Sequence, residues 1–181
     1  HFLNNLASFE GCRLLEIGSY QGATFCSMLF NNKQIDSAET ITNWSEFGKN
    51  GEKDKKIFIS NLRKIQKNRI ENEKIKIYNN NCNTSDIREI KDINLFFYDG
   101  SHTQEDQYNA LIRFNQCLED IFILVVDDFN SKEVETGTVR AISDSKWRIL
   151  YNQLLPGRPS EWDIKDSYYW WNGQLVCLIK K

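Results

Sequence analysis

Two apolar runs in this chain each end in aspartate, and that pairing restricts the fold more than any other feature. Leu95-Phe96-Phe97-Tyr98 runs into Asp99, and Ile123-Leu124-Val125-Val126 runs into Asp127 and Asp128. Such runs read as strands covered on both faces, as in a parallel sheet between helix layers. In open α/β sheets, ligands sit just beyond the carboxyl ends of the strands. If these two strands are neighbours, three carboxylates converge there. They would repel one another, and burial would push their pKa values up. A hard divalent cation with oxygen ligands relieves that repulsion. His102, three residues after Asp99, would face the same spot.

The rest of the chain alternates strand and helix signals, as a parallel α/β sheet requires. A short amphipathic helix is expected around Phe2 to Phe9, then a strand from Cys12 to Ile17 ending at Gly18. A helix follows from about Gln21 to Phe30, and a second strand from Gln34 to Thr42. The periodicity predicts a helix over Asp54 to Asn68, with Phe58, Leu62 and Ile65 on one face. Lys74 to Tyr78 reads as a third strand, before an Asn-rich loop. Gln104 to Leu118 reads as a helix with Thr103 as its N-cap, and Glu105 and Asp106 in the first turn, where the helix dipole favours them. A helix over Lys132 to Asp144, the stretch Trp147 to Leu154, a Pro-Gly loop and a closing strand, Leu175 to Ile179, complete the chain.

Size and charge bound the rest. The 181 residues suffice for one α/β domain, read as spanning 1–181. The chain opens on His1 rather than Met, which reads as a processed, tagged or excised fragment, one domain of a longer polypeptide being one option. A net charge of -2 predicts no general affinity for nucleic acid or anionic membrane. No apolar run is long enough to span a bilayer, and no signal peptide is visible. The five cysteines show no CxxC pairing, which fits reduced thiols in a cytoplasmic setting. The basic run from Lys53 to Arg69 reads as a solvated helix face, without the interleaved aromatics of a nucleic-acid surface.

Glu16-Ile17-Gly18-Ser19-Tyr20-Gln21-Gly22 places a glycine turn between a strand and a helix, where backbone can approach a ligand closely. Its spacing, G-x-x-x-G after an acid, differs from the GxGxxG of a dinucleotide fold. It suits a ligand with an amino group and a ribose rather than a pyrophosphate. A tight turn with no ligand is the plainer reading of the motif by itself.

E-I-G-S-Y-Q-G-A-T resembles motif I of the class I methyltransferases that use S-adenosylmethionine (AdoMet). The resemblance continues through Thr42-Asn43-Trp44-Ser45-Glu46-Phe47-Gly48, Asn81-Cys82, Asp99-Gly100-Ser101-His102, Val126-Asp127-Asp128 and Trp170-Trp171-Asn172-Gly173. The D-G-S-H and D-D pairing is similar to metal-dependent O-methyltransferases acting on sugar hydroxyls, including those of macrolide sugars and surface glycans. This implies a Rossmann-like fold, with a seven-stranded, mostly parallel sheet and helices on both faces. It also implies a cofactor site. Glu16, Gly18, Ser19, Tyr20 and Gly22 would hold the methionine portion of AdoMet. Thr42, Asn43 and Trp44 would stand near the ribose, Asn81 and Cys82 near the adenine, and Asp99 and Ser101 beside them. Asp99, Asp127 and Asp128 would bind Mg²⁺ or Mn²⁺, and His102, with Asp99, would carry the catalysis as general base. The chain departs from the family at the end of the second strand. Thr42 stands there in place of a ribose-binding acid, and the nearest acid is Glu39. A neutral side chain bonds a hydroxyl less strongly than a carboxylate does, so weaker AdoMet binding is expected.

The chemistry is coherent. A sugar hydroxyl is a poor nucleophile at neutral pH, and a divalent cation stabilises the developing alkoxide. A histidine titrates near neutrality and can take the proton. The dense aromatics Trp162, Tyr168, Tyr169, Trp170 and Trp171 suit the apolar faces of a sugar acceptor, and Arg158 reads as a lid residue over it. Alternatives are an acceptor that is a catechol-like or other small diol, and a non-catalytic module binding cofactor or sugar. The protein partners allowed for are a second copy of the chain or other domains of a larger protein.

Overall fold

The computed structural model describes residues 2–45, 50–66, 75–157 and 172–181. The strands are β1 (Arg13–Ile17), β2 (Ser37–Ile41), β3 (Ile75–Tyr78), β4 (Ile93–Tyr98), β5 (Leu118–Val126), β6 (Arg148–Leu155) and β7 (Gln174–Lys180). They form one sheet in the order β3-β2-β1-β4-β5-β7-β6. Only β7 among them runs against the rest, slotted antiparallel between β5 and β6. The two aspartate-tipped strands are parallel neighbours, with Phe97 opposite Val125 and Tyr98 opposite Val126.

The pleat of the central strands divides the core in two. Leu15, Ile17, Phe96, Tyr98, Leu124 and Val126 face one layer. There they pack against Ala110, Leu111 and Phe114 of α4 (Gln104–Phe114) and Val134 and Ala141 of α5 (Lys132–Asp144). The alternate residues Leu14, Leu95, Phe97 and Val125 face the other layer. That layer is built by α1 (Phe2–Leu6), α2 (Ala23–Leu29) and α3 (Gly51–Gln66), through Leu3, Phe25, Met28, Phe58 and Leu62. Phe96 and Phe97 are fully buried on opposite faces of one strand, each burial stabilising by about 1.5–3 kcal/mol. This double cover is why the strand reads as unbroken apolar sequence.

Several boundaries move for local reasons. Helix α2 begins at Ala23 rather than Gln21, because Gly22 sits in the left-handed region at φ 83°. The helix expected to reach Leu118 ends at Phe114 in a 3₁₀ turn, Asn115–Cys117. Strand β5 therefore starts at Leu118, and the Lys181 ammonium ties the turn by donating to the Asn115 and Leu118 carbonyls. Helix α5 spans the expected residues. The five cysteines are free thiols. Burial pushes Cys12 up to about 12 and Cys26, Cys117 and Cys177 up to about 11, so these four are inert core residues. Among the described residues no helix is long and apolar enough to cross a membrane.

Candidate active site

Four strand ends, those of β2, β1, β4 and β5, are stitched together one residue beyond the sheet. The Gly18 amide donates to the Ile41 carbonyl at 3.0 Å, Asp99 to Ile17 at 2.9 Å, and Asp127 to Tyr98 at 3.0 Å. Gly18 has φ 92°, and a Cβ built on it would lie 1.7 Å from the Asp99 carbonyl oxygen. Only glycine combines that dihedral with that approach. The β1–α2 turn and the β4–α4 loop are thereby held against each other.

A cleft of about 620 Å³ opens over these ends. Gly18, Tyr20, Thr42, Asn43, Asn81, Cys82, Asp99, Ser101 and His102 line it. Four other expected cofactor residues lie behind the wall. Trp44 is buried and donates from Nε1 to the Tyr20 carbonyl at 2.8 Å, supporting a residue whose own φ is 43°. The buried Ser19 hydroxyl pairs with the Thr40 hydroxyl at 2.5 Å. Gly22 precedes α2 and packs on the Phe58 ring. Glu16 is fully buried; the Thr24 hydroxyl donates to its Oε1, and Oε2 has no partner. Burial above all, with the negative charges of Asp99 and Asp127, pushes the Glu16 carboxyl up to about 8. The Thr42 hydroxyl also lacks a partner, and Thr42 faces the cleft.

The acidic cluster is arranged differently from the sequence expectation. Asp99, His102 and Asp128 each offer one ligand atom, and these lie within 4.8 Å of one another. His102 Nε2 is 2.9 Å from Asp128 Oδ2 and 3.8 Å from Asp99 Oδ1. Hydrogen bonding to Asp128, then to Asp99, pushes His102 up to about 10, and His102 in turn lowers Asp128. Asp127 is not in this group. It accepts from Gln174 Nε2 at 3.1 Å, and burial, then the Asp99 charge, pushes it up to about 6. Successive strand residues point to opposite faces, and Asp128, at φ 53°, turns out of the strand toward His102. Adjacency in sequence thus separates the two aspartates in space.

Asn83 and Asp106 also line the cleft, and sequence reasoning missed them as site residues. The first-turn position of Asp106 on α4 had a sufficient local reason, which masked its second role. Trp162, Tyr168, Tyr169, Trp170, Trp171 and Arg158 lie outside the described residues, as do Glu46, Phe47 and Gly48.

No protein-family model matches the sequence, and no curated protein matches it. Solved structures do match. TrmK of M. capricolum, bound to the cofactor product S-adenosyl-homocysteine, aligns at TM-score 0.61 and 16% identity, over 99% of this chain and 67% of that one. A Streptococcus pneumoniae protein described as a tRNA (m1A22) methyltransferase aligns at TM-score 0.59 and 13% identity, over 99% and 68%. The chain has the class I methyltransferase fold. Spermidine synthase of Thermotoga maritima shares it too, at TM-score 0.57 and 14% identity over 97% of this chain and 55% of that one. At such identities the likeness is one of fold, and the fold does not by itself select a reaction. In this fold the cleft lies where the sheet order reverses direction, between β1 and β4.

Proposed function

We propose that the chain is an AdoMet-dependent O-methyltransferase that methylates a sugar hydroxyl, within a glycan, with the help of Mg²⁺ or Mn²⁺. The observation that carries this reading is the convergence of Asp99, His102 and Asp128 at the rim of a cleft bounded by Gly18, Thr42 and Asn81. The cleft suits AdoMet on this chain's own features. The Gly18 turn leaves no room for a side chain, and Thr42, whose buried hydroxyl lacks a partner, stands in the cleft wall. The neighbours bound to S-adenosyl-homocysteine, TrmK among them, support the same cofactor.

Two carboxylates and an imidazole are a donor set for a divalent metal with mixed oxygen and nitrogen ligands. Asp99 and Asp128 would hold the ion with His102 beside them, and when bound it supplies Lewis-acid stabilisation of an alkoxide. With Asp99 and Asp128 engaged by the ion, His102 Nε2 would take the acceptor's proton. In the cation-free protein the same two carboxylates keep His102 protonated at neutral pH, so neutralising them is what frees Nε2 as a base. Asp127, drawn inward by Gln174, adds negative charge beneath the site.

The sugar as acceptor is supported by the D-G-S-H and D-D pattern. RNA enzymes among the fold neighbours suggest a polynucleotide instead. The negative rim and the net charge of -2 disfavour phosphate chains. The test is methyl transfer from labelled AdoMet to a panel of glycosides, small diols and RNA, with and without EDTA. Transfer to glycosides that stops in EDTA and returns with Mg²⁺ or Mn²⁺ is expected. Transfer that survives EDTA removes the cation, and cofactor binding with no transfer leaves a binding module.

A further inference from the structure

Asp106 joins the two loops that carry the cleft. Its Oδ2 accepts from the Ser101 hydroxyl at 2.8 Å and the Thr103 hydroxyl at 2.9 Å. Its Oδ1 accepts from Asn83 Nδ2 at 3.1 Å. Ser101 belongs to the loop after β4, between Asp99 and His102. Asn83 belongs to the loop after β3, beside Asn81 and Cys82. Strands β3 and β4 are not neighbours, since β2 and β1 lie between them. No sheet hydrogen bond can therefore set the distance between these two loops. The Asn83 loop has its own internal frame: Asn81 Oδ1 accepts from the Asn83 amide at 2.8 Å, and the Asn81 carbonyl accepts from the Ser85 hydroxyl at 2.8 Å. A turn so tied moves as one piece, and the Asn83 side chain connects it to Asp106.

We infer that Asp106 is a positioning residue that locks the Asn81-Cys82 turn to the Ser101-His102 loop, and so couples cofactor binding to the placement of His102. The cofactor half of this rests on the AdoMet reading; the coupling between loops does not. A carboxylate suits the task because it accepts several bonds at once, each strengthened by its charge. The Ser101 bond comes first among the causes that hold Asp106 ionised. The competing role is local. Thr103 Oγ1 accepts from the Asp106 amide at 3.2 Å, so the Thr103 side chain caps the start of α4 beside the bridge.

Three variants separate the two roles. Thr103→Ala breaks the cap and spares the Ser101–Asp106–Asn83 bridge, whereas Asn83→Ala and Asp106→Ala break the bridge and keep the cap, because the backbone amide of residue 106 remains. Amide hydrogen exchange on the ligand-free protein reads the coupling directly. Asn83→Ala is expected to speed exchange at residues 100–102, across the cleft from the mutation, with an unchanged melting temperature. Calorimetry with S-adenosyl-homocysteine is expected to show about tenfold weaker binding for Asn83→Ala and for Asp106→Ala, and no further loss when the two are combined. Unchanged exchange at 100–102 in Asn83→Ala overturns the proposal. So does an Asp106→Ala protein that behaves like Thr103→Ala, with a lower melting temperature and undisturbed loops. If the wild type ignores S-adenosyl-homocysteine while the cross-cleft exchange effect stands, the cofactor reading fails and the bridge survives.

Discussion

Gly18 and the Asp99 carbonyl are in such close register that a single methyl group on the glycine would overlap the oxygen, at 1.7 Å. The contact sits where β1 and β4 leave the sheet, so it sets the floor of the cleft. Gly18→Ala is expected to destabilise the protein by about 3 kcal/mol, from the clash together with a φ that alanine avoids. A shift of the urea midpoint to lower concentration, with binding of S-adenosyl-homocysteine lost, is the expected outcome. An unchanged midpoint would show that the two loops part easily.

His102 should report the state of the acidic rim. In cation-free protein its ring is expected to titrate near 10 rather than 6.5. The folded pKa lies above the unfolded one. Its contribution to stability is therefore complete below 6.5, declines above that, and is gone once pH passes about 10. Saturating Mg²⁺ is expected to bring the titration back toward the ordinary histidine range, and to raise the melting temperature. Asp128→Asn removes the nearest partner of Nε2. That variant is expected to lower the His102 pKa without any cation and to lose most of the cation-induced rise in melting temperature. NMR of the His102 ring and thermal melts with and without Mg²⁺ check both. A midpoint near 6.5 in cation-free wild type would count against the arrangement.

Glu16 makes stability depend on pH in the opposite sense from an ordinary ion-paired carboxylate. Folded, it keeps its proton up to about pH 8; its ordinary value is 4.5. Between those values the folded state binds more protons than the unfolded state, so stability falls as pH rises, and the loss is complete above about 8. Glu16→Gln has no such proton to hold. Its stability relative to wild type should therefore improve steadily from pH 5 to pH 8, in urea titrations across that range. Parallel curves for the two proteins would show that Glu16 is solvated.

The fold was legible wherever one local signal was enough. Phe96 and Phe97 marked a doubly covered strand, Gly18 a tight turn, and Thr103 a helix start, and all are found in those roles. Lys132 to Asp144 was readable as a helix to the residue. The failures came where a distant partner outweighed local pattern. Leu118 to Phe122 read partly as helix and loop, but pairing of Leu118 with β4 and of Ile121 and Phe122 with β7 makes it strand. Trp44 looked like a cofactor contact and instead supports the Tyr20 backbone.

By itself, the sequence determined which strands are buried and that aspartates end them. Alternating apolar runs and glycine turns are short-range facts, and short-range facts suffice for those conclusions. Only the tertiary structure decided how the charges are shared. Asp127 and Asp128 are neighbours in the chain, but strand geometry sends one to Gln174 and a left-handed φ sends the other to His102. Asp106, placed by its helix, reaches a loop from a strand three positions away in the sheet. Such pairings depend on the order of strands and the direction of single side chains, and no spacing along the chain encodes either.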